Sequence, residues 1–125
     1  MRAAPAHGGE RGQAALELAL CLPILALLLL AVVQVGLVVR DQVAVVHAAR
    51  EGARAGAVTG AGPGDAVAAA QGAVRLDGGR LAVDASRGDV VRVTVRYQAP
   101  TDVPLVGRLI GDVTLRATAV MRVEP

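Results

Sequence analysis

The stretch LALCLPILALLLLAVVQVGLVV, residues 18–39, runs for twenty-two positions without a charged side chain. Only Cys21, Pro23, Gln34 and Gly36 interrupt its Ala, Leu, Ile and Val residues. At about 1.5 Å per residue such a helix is roughly 33 Å long, enough to cross a hydrocarbon core of about 30 Å. The run therefore predicts one membrane-spanning helix. A secretory signal peptide fits less well, because its apolar region is about 7–15 residues long and ends at a small-x-small site. Pro23 removes one backbone hydrogen bond and is expected to kink the helix, which neighbouring helices can tolerate in a membrane. Cys21 follows a bulky Leu20 and precedes most of the apolar run, an order unlike that of a lipoprotein, so it reads as a buried small residue.

Immediately before this run stand Arg11-Gly12-Gln13-Ala14-Ala15-Leu16-Glu17. A carboxylate at the edge of an apolar helix is costly to desolvate and calls for a partner. Gly12 suits close backbone approach. As a purely local feature, Glu17 would be an interfacial acid complementing the helix N-terminal dipole. Arg2 and Arg11 precede the span and Arg40, Arg50 and Arg54 follow it, so charge asymmetry alone does not fix its direction.

After the span, Arg40 to Val58 keeps helical spacing without proline. His47, Arg50, Glu51 and Arg54 fall at i, i+3, i+4 and i+7 and share one face, where short-range ion pairs are expected. Ala49, Ala53, Gly56 and Ala57 form a second face of small residues that lets a helix or sheet approach closely. The two faces predict one long helix that leaves the membrane and becomes amphipathic.

Thr59-Gly60-Ala61-Gly62-Pro63-Gly64 breaks this helix. A short Ala-rich helix capped by Asp65 is expected from Asp65 to Leu76. The period then changes to two: Leu81, Val83 and Ala85 precede a turn at Ser86-Arg87-Gly88-Asp89, and Val91, Val93, Val95 and Tyr97 alternate with Arg92, Thr94, Arg96 and Gln98. A Pro-rich stretch from Ala99 to Asp112 leads to Val113, Leu115, Ala117, Ala119 and Met121, which alternate with Thr114, Arg116, Thr118, Val120 and Arg122. The expected fold class is α+β: the long helix, a short helix and a three-stranded antiparallel sheet whose apolar face the helices cover.

Composition limits what such a chain can do. Of its 125 residues 54% are hydrophobic, yet Tyr97 is the sole aromatic, so a small core of modest stability is expected. All 13 basic residues are arginine, nearly offset by 11 acidic ones. They are dispersed and no aromatics interleave with them, which argues against a nucleic-acid partner. No nucleophile with a base, paired acids or metal-ligand spacing is visible, so neither an enzyme, a metal, a cofactor nor a small-molecule substrate is expected. Asp84 and Asp89 read as turn-shaping residues.

Two motifs carry a resemblance. The Gly12-to-Glu17 spacing ahead of the apolar run resembles the class III signal of prepilins, in which a basic leader ends in Gly and Glu stands fifth after cleavage. Ala48-Ala49-Arg50-Glu51-Gly52-Ala53-Arg54-Ala55 looks like the Ala-Ala-Arg-Glu-Gly-Ala-Arg signature of TadE-like proteins, and the end at Val120-Met121-Arg122-Val123-Glu124 is similar to theirs. The resemblance implies a minor pilin or pseudopilin of a tight-adherence, Flp-type pilus, with a reduced type IV pilin plan. It implies a leader at 1–12 cut by a prepilin peptidase between Gly12 and Gln13, and a helix at 13–58 with the span near 18–39. It further implies a small extracytoplasmic domain at 65–125, a cytoplasmic N-terminus and a place in the cytoplasmic membrane or a surface pilus. Glu17 would assemble subunits by pairing with the freed amine of a neighbour. Ala49, Arg50, Glu51, Gly52, Ala53 and Arg54 would serve helix packing or docking to other pilins and the assembly machinery. The alternative is a single-pass anchored binding or scaffolding module that never enters a filament.

Overall fold

A computed structural model describes residues 8–125. Residues 1–7 of the expected leader, with Arg2 and His7, lie outside the described residues. The first element, α1, is one helix of 50 residues, Gly8–Ala57, about 75 Å long at 1.5 Å per residue. It continues through Pro23. Up to Val39 its side chains are nearly all exposed, Leu16, Leu20, Ile24 and Leu29 among them, whereas from Val45 onward one face is fully buried. A single element thus has two solvents: an apolar rod first, and then the spine of a folded domain.

Gly60, at φ +82°, takes the chain off the end of α1 in a conformation suited to glycine. Helix α2 spans Pro63–Gly72. Pro63 occupies its first turn, where a missing N–H costs nothing. The Asp65 carboxylate accepts a hydrogen bond from the Gly62 N–H at 2.7 Å, so the expected cap forms from inside the first turn. The helix stops at Gly72, short of the expected Leu76. After Ala73, which still has helical φ and ψ, residues 74–77 are irregular, with Val74 and Leu76 turned to the core and Arg75 and Asp77 to solvent. Their alternate spacing puts both apolar side chains on the core, while Gly72 and β-branched Val74 add little helix propensity to carry α2 further.

A single 3-10 turn, Gly78–Arg80, leads into strands β1 (Leu81–Arg87), β2 (Val90–Ala99) and β3 (Val113–Arg122). They form an antiparallel sheet in the order β1-β2-β3. Register pairs Val83 with Val95 and Val95 with Ala117, so apolar residues line one face in cross-strand rows. Helix α1 lies over β2 and β3, and α2 over β1 and the flank of α1. The core is built from Val45, Ala48, Ala49, Ala53, Ala66, Ala70, Val91, Val93 and Val95, with Tyr97 at its edge. On the outer face Thr94 is also buried, and its hydroxyl meets that of its registered neighbour Thr118 at 3.0 Å.

The Pro-containing stretch between β2 and β3, to which the sequence reading assigned no element, contains a short helix α3, Val106–Ile110. Gly107 sits so close to the Thr101 carbonyl that no side chain fits there. Val103 and Val106 are buried, whereas Leu105, Leu109 and Ile110 are exposed.

At the opposite end the carbonyls freed where α1 terminates are taken up from across the fold. The Arg87 guanidinium donates to the carbonyls of Gly56 at 2.9 Å, Val58 at 3.2 Å and Ala61. The Glu124 N–H donates to the Ala57 carbonyl at 3.1 Å. These bonds satisfy orphan helix-end acceptors and place positive charge at the negative end of the helix dipole.

Candidate functional site

The sequence-predicted residues fall into two groups far apart along α1. Gly12, Gln13 and Glu17 lie near its exposed start, where the Gln13 Nε2 donates to Glu17 Oε1 at 3.2 Å across one helical turn. Among the described residues, and apart from its two neighbours and the local helix backbone, no atom comes within 4 Å of the place a Gly12 β-carbon would take. Glu17 heads the lipid-length apolar surface, with no cation of its own subunit bonded to it among the described residues.

In the second group the faces divide. Ala49, Gly52 and Ala53 are buried against the chain's own sheet and α2, and so are Ala48, Gly56 and Ala57. A β-carbon at Gly52 would lie 2.8 Å from the Ala66 carbonyl oxygen, and one at Gly56 would lie 2.9 Å from both Ala66 Cβ and Val91 Cγ1. The small residues therefore act inside the subunit, seating α2 and β2 on α1 at close range. His47, Arg50 and Arg54 are exposed and Glu51 is half-buried. The ion pairs expected along this face do not form: among the described residues the pairs within 4 Å join Arg80 to Asp77 and Asp112, and Arg96 to Asp84. Exposed pairs on long side chains gain little over hydration, and Glu51 is drawn toward α2, where it lines a shallow groove with Ala69 and Ala73.

Two arrangements escaped the sequence reading. The first is a polar belt where the apolar rod meets the domain. Arg40, Asp41, His47, Asp77 and Tyr97 line an open cleft of about 500 Å³ there. Arg80 bridges Asp112 at 2.9 Å and Asp77 at 3.8 Å beside it. Burial pushes the Tyr97 hydroxyl above its ordinary pKa, and the negative charge of Asp41 adds to this, while a hydrogen bond with the Asp77 backbone works the other way. The clue in the sequence was the lone tyrosine closing the alternating strand. The second is the outer face of the sheet. Arginines dispersed in sequence are gathered by register, with Arg96 opposite Arg116, and Arg92 and Arg122 on the same face, and of these Arg96 pairs with Asp84 at 2.8 Å.

Residues 12–54 match the family model described as TadE-like protein. The match opens on Gly12, runs through the apolar helix and closes on Arg54, the end of the Ala48–Arg54 signature; it does not reach the final strand. No curated protein and no solved structure matches the chain. The chain thus carries a TadE-like segment from Gly12 to Arg54, as the resemblance in its sequence implied.

Proposed function

We propose that this chain is a minor pilin or pseudopilin-like component of a tight-adherence, Flp-type pilus, processed after Gly12 by a prepilin peptidase. The observation that carries the proposal is the extent of the TadE-like match, which begins at Gly12 and joins the leader edge, the apolar helix and the signature in one segment. Helix α1 supports it, being long and apolar enough to cross a membrane. In this reading the N-terminus is cytoplasmic, the domain at 65–125 is extracytoplasmic, and the chain is held in the cytoplasmic membrane before it joins or assists a pilus. Its partners are the peptidase, other pilins and the assembly machinery, and its role is structural instead of enzymatic.

The mechanism rests on two ends of one helix. The α-amine of Gln13, once freed, is a cation at the start of an apolar rod, and Glu17 is the carboxylate one turn further on. In a bilayer each is better tolerated beside the other's neighbour than alone. Pairing Glu17 of one subunit with the Gln13 amine of the next sets how far one rod slides along another. The exposed His47, Arg50 and Arg54 then face the neighbouring domain. The test is intact-mass analysis of the protein from membranes and from sheared surface material in cells with an active peptidase. Loss of residues 1–12 is expected. A retained Met1, or a new end beyond Val39, overturns the processing and favours the anchored module.

A further inference from the structure

We propose that the loop between β2 and β3, residues 101–111, is a foot that inserts into the lipid leaflet on the domain's side, with Leu105, Leu109 and Ile110 in contact with acyl chains. The proposal rests on the reading of α1 as a membrane span and goes beyond it.

Direction comes first. The C-terminal end of β2 lies at the membrane end of the domain, because Tyr97 shares a cleft with Arg40 and Asp41. Gln42 confirms the level, its Nε2 reaching the Arg116 carbonyl near the start of β3 at 3.4 Å. Chain leaving β2 at Ala99 and returning to β3 at Val113 therefore starts and ends at the membrane end of the domain, and its helix α3 contacts α1.

The burial of α1 records the same placement. Leu30, Ala31, Gln34 and Val38 share one helical face and are half-buried or buried, while Val32, Val33, Val35 and Leu37 around them stay exposed. Gln34 is only 3% exposed, inside the charge-free run. The inner side of the foot, Val103 and Val106, is buried in turn. Gln34 lies six residues below Arg40, about 9 Å along the axis, which matches the depth of roughly 5–10 Å at which interfacial segments rest in a bilayer.

Chemistry then selects the occupant. Leu109 is 85% exposed, Leu105 and Ile110 each 60%, and Leu105 holds φ +67°, a conformation disfavoured for leucine. Three large apolar side chains at a loop tip are costly in water. The helix that carries Leu109 and Ile110 contacts α1, whose own apolar surface is exposed up to Val39. Arg108 stands between Leu105 and Leu109, where a long stem lets the guanidinium snorkel to the headgroup level; Asp102 precedes the tip, and Asp112 ties the root of the loop to Arg80 in the belt. An apolar tip with one snorkelling arginine, level with the end of a span, fits the interface of a bilayer.

The experiment uses the full chain in a Cys21→Ala background, reconstituted into phosphatidylcholine–phosphatidylglycerol vesicles. Single thiols are introduced by Leu28→Cys in the span, Leu109→Cys in the foot and Ser86→Cys at the far end of the domain. Each is labelled with an environment-sensitive fluorophore and quenched by acyl-brominated lipid, and the unlabelled thiols are timed with a membrane-impermeant maleimide. The foot predicts quenching at 109 several-fold above that at 86 and near that at 28, with slow maleimide reaction at 109. Quenching at 28 but not at 109 overturns the foot and leaves the span standing. Quenching at neither overturns both. Protection of the 109 thiol without lipid quenching means that a second copy or other protein covers the patch, and it also overturns the proposal.

Discussion

Gly52 of α1 and Ala66 of α2 touch backbone to backbone: a β-carbon on Gly52 would stand 2.8 Å from the Ala66 carbonyl oxygen and 2.9 Å from Ala70 Cβ. The glycine of the Ala48–Arg54 signature is thus fixed by the packing of its own subunit. Gly52→Ala gains up to about 1 kcal/mol of helix propensity. It forces an overpacked contact costing about 1–3 kcal/mol, against backbone that cannot rotate away. We expect a net loss of about 1–2 kcal/mol, read as an earlier denaturant midpoint by fluorescence of Tyr97. Gly64→Ala, with open space around it, should leave the midpoint unchanged or raise it. Equal effects at the two sites would refute the close-contact account.

Arg87 closes the end of α1 through the carbonyls of Gly56, Val58 and Ala61. Removing it leaves these acceptors to water and takes away a cation at the helix C-terminus. Charged hydrogen bonds are worth about 1.5–3 kcal/mol when buried, so for this half-exposed side chain Arg87→Ala should cost about 1–2 kcal/mol. Hydrogen exchange should rise in the last turn of α1 and at Thr59–Gly62 before it rises elsewhere. A uniform rise across the domain would point to a lost core contact instead.

Tyr97 is the chain's sole aromatic, so its phenolate absorbance can be followed without interference. Burial first, and then Asp41, disfavour the charged form, which raises its pKa above the ordinary 10.0 in the folded chain. A raised folded value means that the contribution to stability is complete below the unfolded pKa and is lost as pH climbs through the folded one. Domain stability should therefore be insensitive to Tyr97 at neutral pH and fall in the alkaline range. Asp41→Asn should move the absorbance midpoint downward, and chemical unfolding should return it to the ordinary value. A midpoint at or below that value in the folded chain would contradict the burial.

Much of this fold is legible in the sequence because period and charge act locally. The twenty-two uncharged positions and the alternation Val91, Val93, Val95, Tyr97 each follow from one element and its solvent. The misread features depend on what lies across the fold. Helix α2 ends at Gly72 while Val74 and Leu76 reach the core from the irregular segment that follows, and apolar spacing alone is ambiguous over so short a run. The foot helix was hidden by turn-forming Pro104, Gly107 and Gly111, whose local bias says nothing about what they pack upon. The face of His47, Arg50, Glu51 and Arg54 has the spacing for ion pairs and forms none, since spacing sets proximity and solvation decides pairing. Likewise arginines scattered in the chain become neighbours only once the register of β2 and β3 is fixed.

Glu17 separates assembly from folding. It lies near the start of α1, and the first fully buried core residue, Val45, follows it by about 42 Å of helix. Its side chain is exposed and, among the described residues, is bonded only to Gln13, so no contact in the domain depends on it. Glu17→Gln keeps size and polarity and removes the charge. Insertion should be unimpaired, since a charge costs roughly 2.5–3.5 kcal/mol at the centre of a membrane helix and the change relieves part of that. Cleavage after Gly12 should persist, and the unfolding midpoint reported by Tyr97 should match the parent. Only the pairing with a neighbour's freed amine is lost, so the variant should stay in the membrane, absent from sheared filaments and from cross-links to other pilins. Reversing the charge with Glu17→Lys should be worse than neutralising it, because like charges would then meet at the joint. If Glu17→Gln assembles like the parent, charge pairing does not set the register, and the anchored module becomes the better reading.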